Sequence, residues 1–450
     1  LDEFLQAFND FWATASDTVW GEPLVYLLIG AGLYFTLASG VLPLRRWRHS
    51  IDIIRGKYDK PDDPGEISHF AALTTALSAT LGMGNIAGVA IAIGLGGPGA
   101  IFWMWVAGLV GMATKYFTCT LAVLYRKEDA RGVAQGGPMY YLEVGLGKWA
   151  KPLAVLFAVC GLVGCLALFQ VNQLAQLLDE FHDAPRWGTG LACMVLVGVV
   201  ILGGIVRVGE VTRRIVPAMF LVYLVSALFI IFAGIGKLPD IFYSIFTEAF
   251  GLQAAAGGIA GHAFREVMVT GVRRAAFSNE AGIGTAPMAH GAARTKEPVR
   301  EGLIAMLGPF LDTNVICTLT GLVILSTGVD YVENKGVVMT MNAFQSVMGV
   351  FGRYTLSLIV VLFSISTMIS YSYYSLKCAK YLFGERFGAK YVYVYLLSLV
   401  VGALLTQDTV KNIIDTCFAL MAVPTLTGAL LLSGKVLAAT RDYFRRMGLS

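Results

Sequence analysis

Apolar runs alternate with short polar stretches along nearly the whole chain. A bilayer-crossing helix needs about 20 mostly apolar residues, and by that measure the pattern predicts about eleven spans. They fall near residues 23–43, 68–96, 99–125, 152–178, 188–206, 214–235, 262–291, 300–326, 354–380, 391–407 and 410–433. Before them, Phe4, Phe8, Phe11, Trp12 and Ala15 recur at helical spacing among acids and amides, which predicts an interfacial amphipathic helix over 1–20. That stretch has no basic start and does not read as a signal peptide. Amphipathic loop helices are expected near 239–256 and 337–350.

Two spans carry an interruption. In 73–93 the middle reads Leu81-Gly82-Met83-Gly84-Asn85. Glycine inside a helix costs roughly 1 kcal/mol relative to alanine. In lipid, every freed N–H or C=O must also find a partner. The span at 262–291 is broken at Phe277-Ser278-Asn279-Glu280-Ala281-Gly282-Ile283-Gly284, and the same Gly-x-Gly recurs. Counting spans, five run from the first break to residue 235 and five from the second to residue 433. An odd number per unit inverts the second unit relative to the first. The expected division is therefore an entry segment 1–67, a first repeat 68–235, an inverted second repeat 236–433 and a tail 434–450. Inverted repeats opened by discontinuous helices mark secondary transporters with a midplane site. The plainer reading makes the glycines helix-packing notches. It leaves Asn85, Asn279 and Glu280 at this depth without a reason.

Composition sharpens the class. The chain of 450 residues is 56% hydrophobic and 14% charged, against about 25% charged in an ordinary soluble domain. This describes one all-α polytopic membrane domain. Lysine and arginine concentrate in alternate loops, at 43–67, 125–151, 204–214, 291–300, 377–390 and 435–446. The positive-inside rule places those loops in the cytoplasm, with the N-terminus outside and the C-terminus inside. Lys115, Arg273 and Arg274 remain at depth, and Lys115 is expected to snorkel. Seven cysteines make no CxxC pair, the histidines show no metal spacing and no phosphate-binding GxxxxGK[ST] occurs.

Several segments carry a resemblance: GNIAGVA (84–90), GGPGAIFWMW (96–105), GMATKY (111–116), GGPMYYLE (136–143), FSNEAGIGTAPMAHGAA (277–293), DTNVICTLTG (312–321) and SYYSLKCAKYLFG (372–384). In order and over most of the chain, they resemble the alanine or glycine:cation symporter family of prokaryotes. The resemblance implies a LeuT-type fold of five plus five inverted helices, with the span at 23–43 as an extra N-terminal helix. It implies a plasma-membrane carrier of small neutral amino acids, alanine or glycine, with sodium as coupling ion and no cofactor. No nucleic-acid partner is expected. One departure stands out. Many members read WSYYGE where this chain has Tyr371-Ser372-Tyr373-Tyr374-Ser375-Leu376, which leaves side-chain specificity open. By the same resemblance, Met83 and Gly84 would offer amides to the substrate carboxylate, with Thr80, Gly82, Asn85 and Gln170 nearby. Phe277 would close over the substrate beside Ser278 and Asn279. Carbonyls of Ser78, Leu81 and Phe363, with Ser366 and Thr367, would face sodium.

The residues themselves are compatible with that chemistry. A zwitterion needs an anion site and a cation site close together. The half-helix beginning at Gly84 turns its positive end toward the break, which suits a carboxylate. Carbonyls around Ser278 and Asn279 can take the ammonium. Ser364, Thr367, Met368 and Tyr371 form one stripe on the span 354–380. Serine and threonine hydroxyls also bond back to their own helix, which is the plainer account of Ser366 and Thr367. Gln170 and Gln173 are explained as readily by an interhelical hydrogen bond. Glu280 has three readings, a proton carrier, a second ion ligand or a partner for Arg273 or Arg274, and a structural or ion-linked charge pair is favoured over proton relay. Asp312 and Asn314 are candidates to brace the second break or to complete another cation site. Rival functions are a proton-coupled carrier of the same fold, a channel, and a membrane enzyme. A channel wants a repeated filter, and no convergent catalytic motif supports an enzyme.

Overall fold

The computed structural model describes residues 2–59, 62–129, 132–250, 260–330 and 336–448, with side chains from residue 6 and, in the fourth stretch, from residue 264. Among these, α1 (Asp2–Val19) and α2 (Glu22–Ala38) meet at 45°. Short α3 (Leu42–Arg45) and α4 (Trp47–Ile54) follow. Then α5 (His69–Thr80) and α6 (Val89–Gly96) form the two halves of one span. A π turn at Gly84–Gly88 joins them and the axis bends by 49°. Ser68 starts α5 by accepting the Ala71 N–H on its side chain, the usual way to satisfy an orphan N-terminal donor.

After α7 (Gly99–Leu124) come the short α8 (Pro138–Tyr140) and the pair α9 (Lys151–Gly164) and α10 (Leu168–His182). The expected span 152–178 is thus interrupted at Cys165–Ala167, where Ala167 takes a left-handed φ of 54°. No glycine or proline occupies those three positions, so the pattern gave no sign of it. Next are α11 (Arg186–Ile201), α12 (Gly204–Ala233) and α13 (Leu238–Ala249). The last is the loop helix expected near 239–256, whose final residues lie outside the described ones. The second broken span consists of α14 (Ala260–Asn279) and α15 (Ala286–His290). It leads to α16 (Pro298–Ala305), α17 (Leu307–Pro309) and α18 (Thr318–Thr327), with a π segment at Phe310–Cys317. The chain ends with α19 (Val337–Gly388), α20 (Tyr391–Leu404), α21 (Gln407–Leu431) and α22 (Ser433–Arg446). Gly349 kinks α19 at φ 58° and separates the loop helix expected near 337–350 from the span below.

Each expected span overlaps helix, but those at 68–96, 152–178, 188–206 and 262–291 are interrupted, and α12 also takes in the expected loop 204–214. Six described helices are long and apolar enough to cross a bilayer, or up to eight if each of two bent pairs is one span. The core lies around α7, which packs against α2, α14 and α16. Close approach there depends on glycine: a Cβ at Gly271 would lie 2.5 Å from the Ala100 carbonyl, and one at Gly302 would collide with Thr120. Because α7 is buried on nearly all sides, Lys115 does not snorkel. Its side chain is enclosed, with Nζ near Gly308 and with Glu280 and Asp312 within electrostatic reach. The amphipathic α1 turns Phe11 outward, 63% exposed, and Ser16 inward, and Trp20 is buried just past its end. Phe4 lies outside the described side chains.

Candidate functional site

At the first break α5 ends with Thr80, and Leu81 leaves helical geometry at ψ 87°. Asn85 closes the gap. Its Oδ1 accepts the Gly82 N–H at 2.8 Å, and its own N–H donates to the Gly82 carbonyl at 3.1 Å. At the second break Glu280, Gly282 and Gly284 all take positive φ, of 54°, 91° and 103°. Glycine holds the last two at no steric cost. Asn279 braces this turn as Asn85 braces the other. It accepts from Ala281 N–H at 2.9 Å and donates to Thr313 Oγ1 at 2.9 Å.

One side chain joins the two breaks. The fully buried Asp312 accepts from Asn85 Nδ2 at 2.7 Å on one oxygen. On the other it accepts from Ser278 Oγ and Thr313 Oγ1, each at 2.8 Å. Cys317 adds its thiol beside Asn85 and Ser278. The backbones also meet: a Cβ on Gly84 would lie 3.1 Å from Ser278 Cα and 3.5 Å from the Phe277 ring. Asp312 was singled out in the sequence, yet its link to Asn85 crosses 227 positions, which no local pattern reports.

A second set of oxygens lies between α5 and α19. Thr367 Oγ1 donates to the Ser78 carbonyl at 2.9 Å and to the Phe363 carbonyl at 3.0 Å. Ser78 Oγ donates to the Ser366 carbonyl at 2.7 Å. Gly82 backs onto Thr367 so closely that a Cβ would strike its hydroxyl. The Ser366 hydroxyl turns back to the Phe363 carbonyl and toward Met219 Sδ, the plainer behaviour of a helical serine. Neutral carbonyl and hydroxyl oxygens of this kind are the donor type that a hard cation takes.

The expected substrate residues Thr80, Met83, Gln170, Met368 and Tyr371 are all buried near these breaks or on α10 and α19. Thr80 bonds back to Ala76, and the Met368 carbonyl accepts from Tyr395. Phe277 meets Phe169 edge-on at 5.0 Å and tilts against Phe418 at 5.8 Å. Gln173 instead accepts the Val337 N–H at 3.2 Å, an interhelical tie. The expectation for Glu280 needs correction. Its carboxylate accepts from the Tyr371 hydroxyl and from Thr285, while Arg273 and Arg274 both pair with the buried Asp415. Glu280 lies past the end of α14, six and seven positions after the arginines, in a left-handed conformation.

Side-chain ties span both ends of the assembly. At one, the Arg274 guanidinium lies 5.1 Å over the Phe277 ring, Asp415 holds both arginines, and Trp20 donates its indole N–H to the Asp415 carbonyl at 2.8 Å. At the other, buried Glu301 of α16 bridges His69 at the start of α5 and His290 at the end of α15, the latter at 2.6 Å. A cavity of about 330 Å³ opens nearby, bordered by Glu66, Gln135, Ser372 and Lys377 among others.

Two interrupted helices joined by one buried carboxylate fit the architecture of a multi-pass secondary transporter. The chain belongs to the Sodium:alanine symporter family, whose profile matches residues 5–448. It is 40% identical to the sodium/alanine symporter AgcS of Methanococcus maripaludis, over 96% of each chain. It is 35% identical to the probable sodium/glutamine symporter GlnT of Bacillus subtilis, over 96% of this chain and 90% of that one. Among solved structures, MhsT in complex with L-phenylalanine superposes with a TM-score of 0.58 at 13% identity, covering 80% of this chain and 88% of that one. That likeness establishes the LeuT-type fold alone.

Proposed function

We propose that the protein couples the inward sodium gradient to uptake of small neutral amino acids, alanine and glycine, by alternating access. The observation that carries this reading is the Asp312 junction, where one anionic side chain touches both breaks. A cation arriving there would meet the carboxylate and the hydroxyl oxygens of Ser278 and Thr313. A second cation would sit among Ser78, Leu81, Phe363, Ser366 and Thr367. Binding at either place replaces hydrogen bonds that now hold the halves together, so ion and substrate share one structural event. The substrate carboxylate would approach the amides of Met83 and Gly84, where the absence of a side chain admits it. Its ammonium would face carbonyls around Ser278 and Asn279, with Phe277 above, Gln170 beside it, and Met368 and Tyr371 bounding the side chain.

The close fit between Gly84 and Phe277 leaves little room, which favours alanine and glycine over larger amino acids. The repeats 68–235 and 236–433 would move against each other around this site. The loops rich in lysine and arginine, and with them Glu301 and the C-terminus, would face the cytoplasm, and Asp415 with the N-terminus the outside.

Purified protein in sealed vesicles, given labelled alanine or glycine, tests the coupling. Uptake driven by a sodium gradient and indifferent to an imposed pH gradient is expected. Uptake driven by the pH gradient alone would transfer the coupling role to a proton carried by Glu280, and would end the sodium reading.

A further inference from the structure

Beyond Ala38 the chain turns through Ser39 and Gly40 into α3, and α22 lies alongside. Between them is a cleft of about 250 Å³. Four guanidinium groups border it, from Arg45, Arg46, Arg441 and Arg445, and no acidic residue lines it. Leu42 and Phe444 are buried and form its apolar base. The Arg46 guanidinium lies 4.5 Å over the Phe444 ring and is held in place by it. Asp442, just outside, takes Arg445 at 2.7 Å and Arg446 at 2.9 Å, so part of the charge is offset. Among the described residues Arg441 has no carboxylate partner, and Arg45 reaches only the Gly40 carbonyl, at 3.5 Å.

The cleft lies just beyond the last turn of α2. The Tyr34 hydroxyl meets Ser433 Oγ at 3.1 Å and fixes the start of α22 against the last turns of α2. Leu37 and Leu44 are exposed, at 65% and 62%, on the segments that lead into the cleft. Converging guanidinium forks suit a phosphate, which accepts paired N–H bonds, better than a single carboxylate. Basic pockets at the cytoplasmic boundary of a membrane protein meet anionic headgroups by the same physics.

We propose that this cleft binds a phosphate group. In the membrane its source would be the phosphodiester of an anionic phospholipid, whose acyl chains run along Leu37 and Leu44. In solution its source would be free phosphate. The occupant would steady α22, which also carries Tyr443, bonded to His49 at 2.7 Å and to Arg300 at 3.4 Å, and Arg446, bonded to Glu297 at 2.7 Å.

The test uses the full-length protein, stripped of lipid in detergent. Phosphatidylglycerol, phosphatidylcholine or inorganic phosphate is added back, and bound species are counted by native mass spectrometry. The double variant Arg45→Gln/Arg441→Gln is compared with Lys148→Gln/Lys151→Gln, a basic surface of the same chain with an open, shallow form. Both replaced arginines are exposed, so folding is not at stake, and thermal unfolding in phosphatidylcholine checks this. The arginine variant should lose phosphatidylglycerol affinity by about tenfold for each charge-assisted hydrogen bond removed. The lysine variant should retain it. Competition by inorganic phosphate at the same arginines would assign free phosphate as a source, whereas its failure to compete would assign the lipid. Equal loss in both variants, or no preference for phosphatidylglycerol over phosphatidylcholine together with no phosphate bound, would overturn the site.

Discussion

Replacing Glu301 by glutamine should loosen the end of the molecule that the basic loops occupy. The side chain is fully buried and accepts from His69 on one oxygen and His290 on the other. Those histidines stand at the outer ends of α5 and α15, the half-helices that flank the two breaks. Each bond to a charged group is worth about 1.5–3 kcal/mol. Glutamine keeps one acceptor and turns an amide N–H₂ toward the other ring, so about one such bond is lost outright. If the bridge exists only while this end is closed, the ratio of closed to open forms falls by roughly 10–150-fold. The assay follows from the cysteines, all seven of which are buried and free. A cysteine in place of Leu376, a half-buried residue on the wall of the 330 Å³ cavity, supplies an addressable thiol on that silent background. Modification of it by a soluble thiol reagent should run at least about tenfold faster with Glu301→Gln than without. Glu301→Asp, which keeps the charge on a shorter arm, should fall between. Unchanged modification rates in a variant with normal thermal stability would refute the argument, because the bridge would then be present in both forms.

Four further outcomes follow from the breaks. Asp312→Asn should raise the sodium concentration that supports substrate binding by about 10–100-fold, as loss of a metal-site partner does; an unmoved sodium midpoint would exclude Asp312 from cation binding. Thr367→Ala should raise that midpoint by less, since carbonyls of Ser78 and Phe363 remain, and should alter substrate affinity only through linkage. Tyr371→Ala should admit larger amino acids by about 1–3 kcal/mol of relaxed discrimination, with sodium dependence little changed; a size series against a sodium titration separates the two. Gly84→Leu should abolish substrate binding in a folded protein, because the added side chain meets Ser278 and Phe277, and normal affinity in that variant would place the site elsewhere.

What the sequence disclosed depended on how local the cause was. A Gly-x-Gly with an asparagine close by marked both breaks, because the φ above zero at Gly282 and Gly284 and the freed Gly82 N–H each need particular residue types at the spot. Apolar run length located the helices, and the loop helices at 238–249 and 337–349 showed in their amphipathic pattern. The partners were another matter. Asp312 was visible as an acid inside a span, but Asn85 and Ser278 come to it from 227 and 34 positions away. Glu280 follows two arginines by six and seven positions and pairs with neither, since it sits past the helix end in a left-handed turn and meets Tyr371, while Asp415 takes the arginines. Lys115 had the stem length to reach an interface, and only the position of α7 amid α2, α14 and α16 denies it water. The Glu301 bridge uses residues from three loop-proximal positions with no shared motif, and so left no trace in any single segment.

Trp20 has a consequence for how this molecule can be watched. It is 2% exposed, gives its indole N–H to the Asp415 carbonyl, and has the Arg273 guanidinium 5.7 Å over its ring. Asp415 belongs to α21 and Arg273 to α14, so a natural fluorophore is wedged at the seam between those helices. Any motion that parts them must change the light it emits, shifting it to the red as water enters and altering its intensity as the cation withdraws. The wild-type chain, with no dye attached, thus carries an optical gauge of that seam, and a Trp20→Phe control isolates its signal from the other tryptophans.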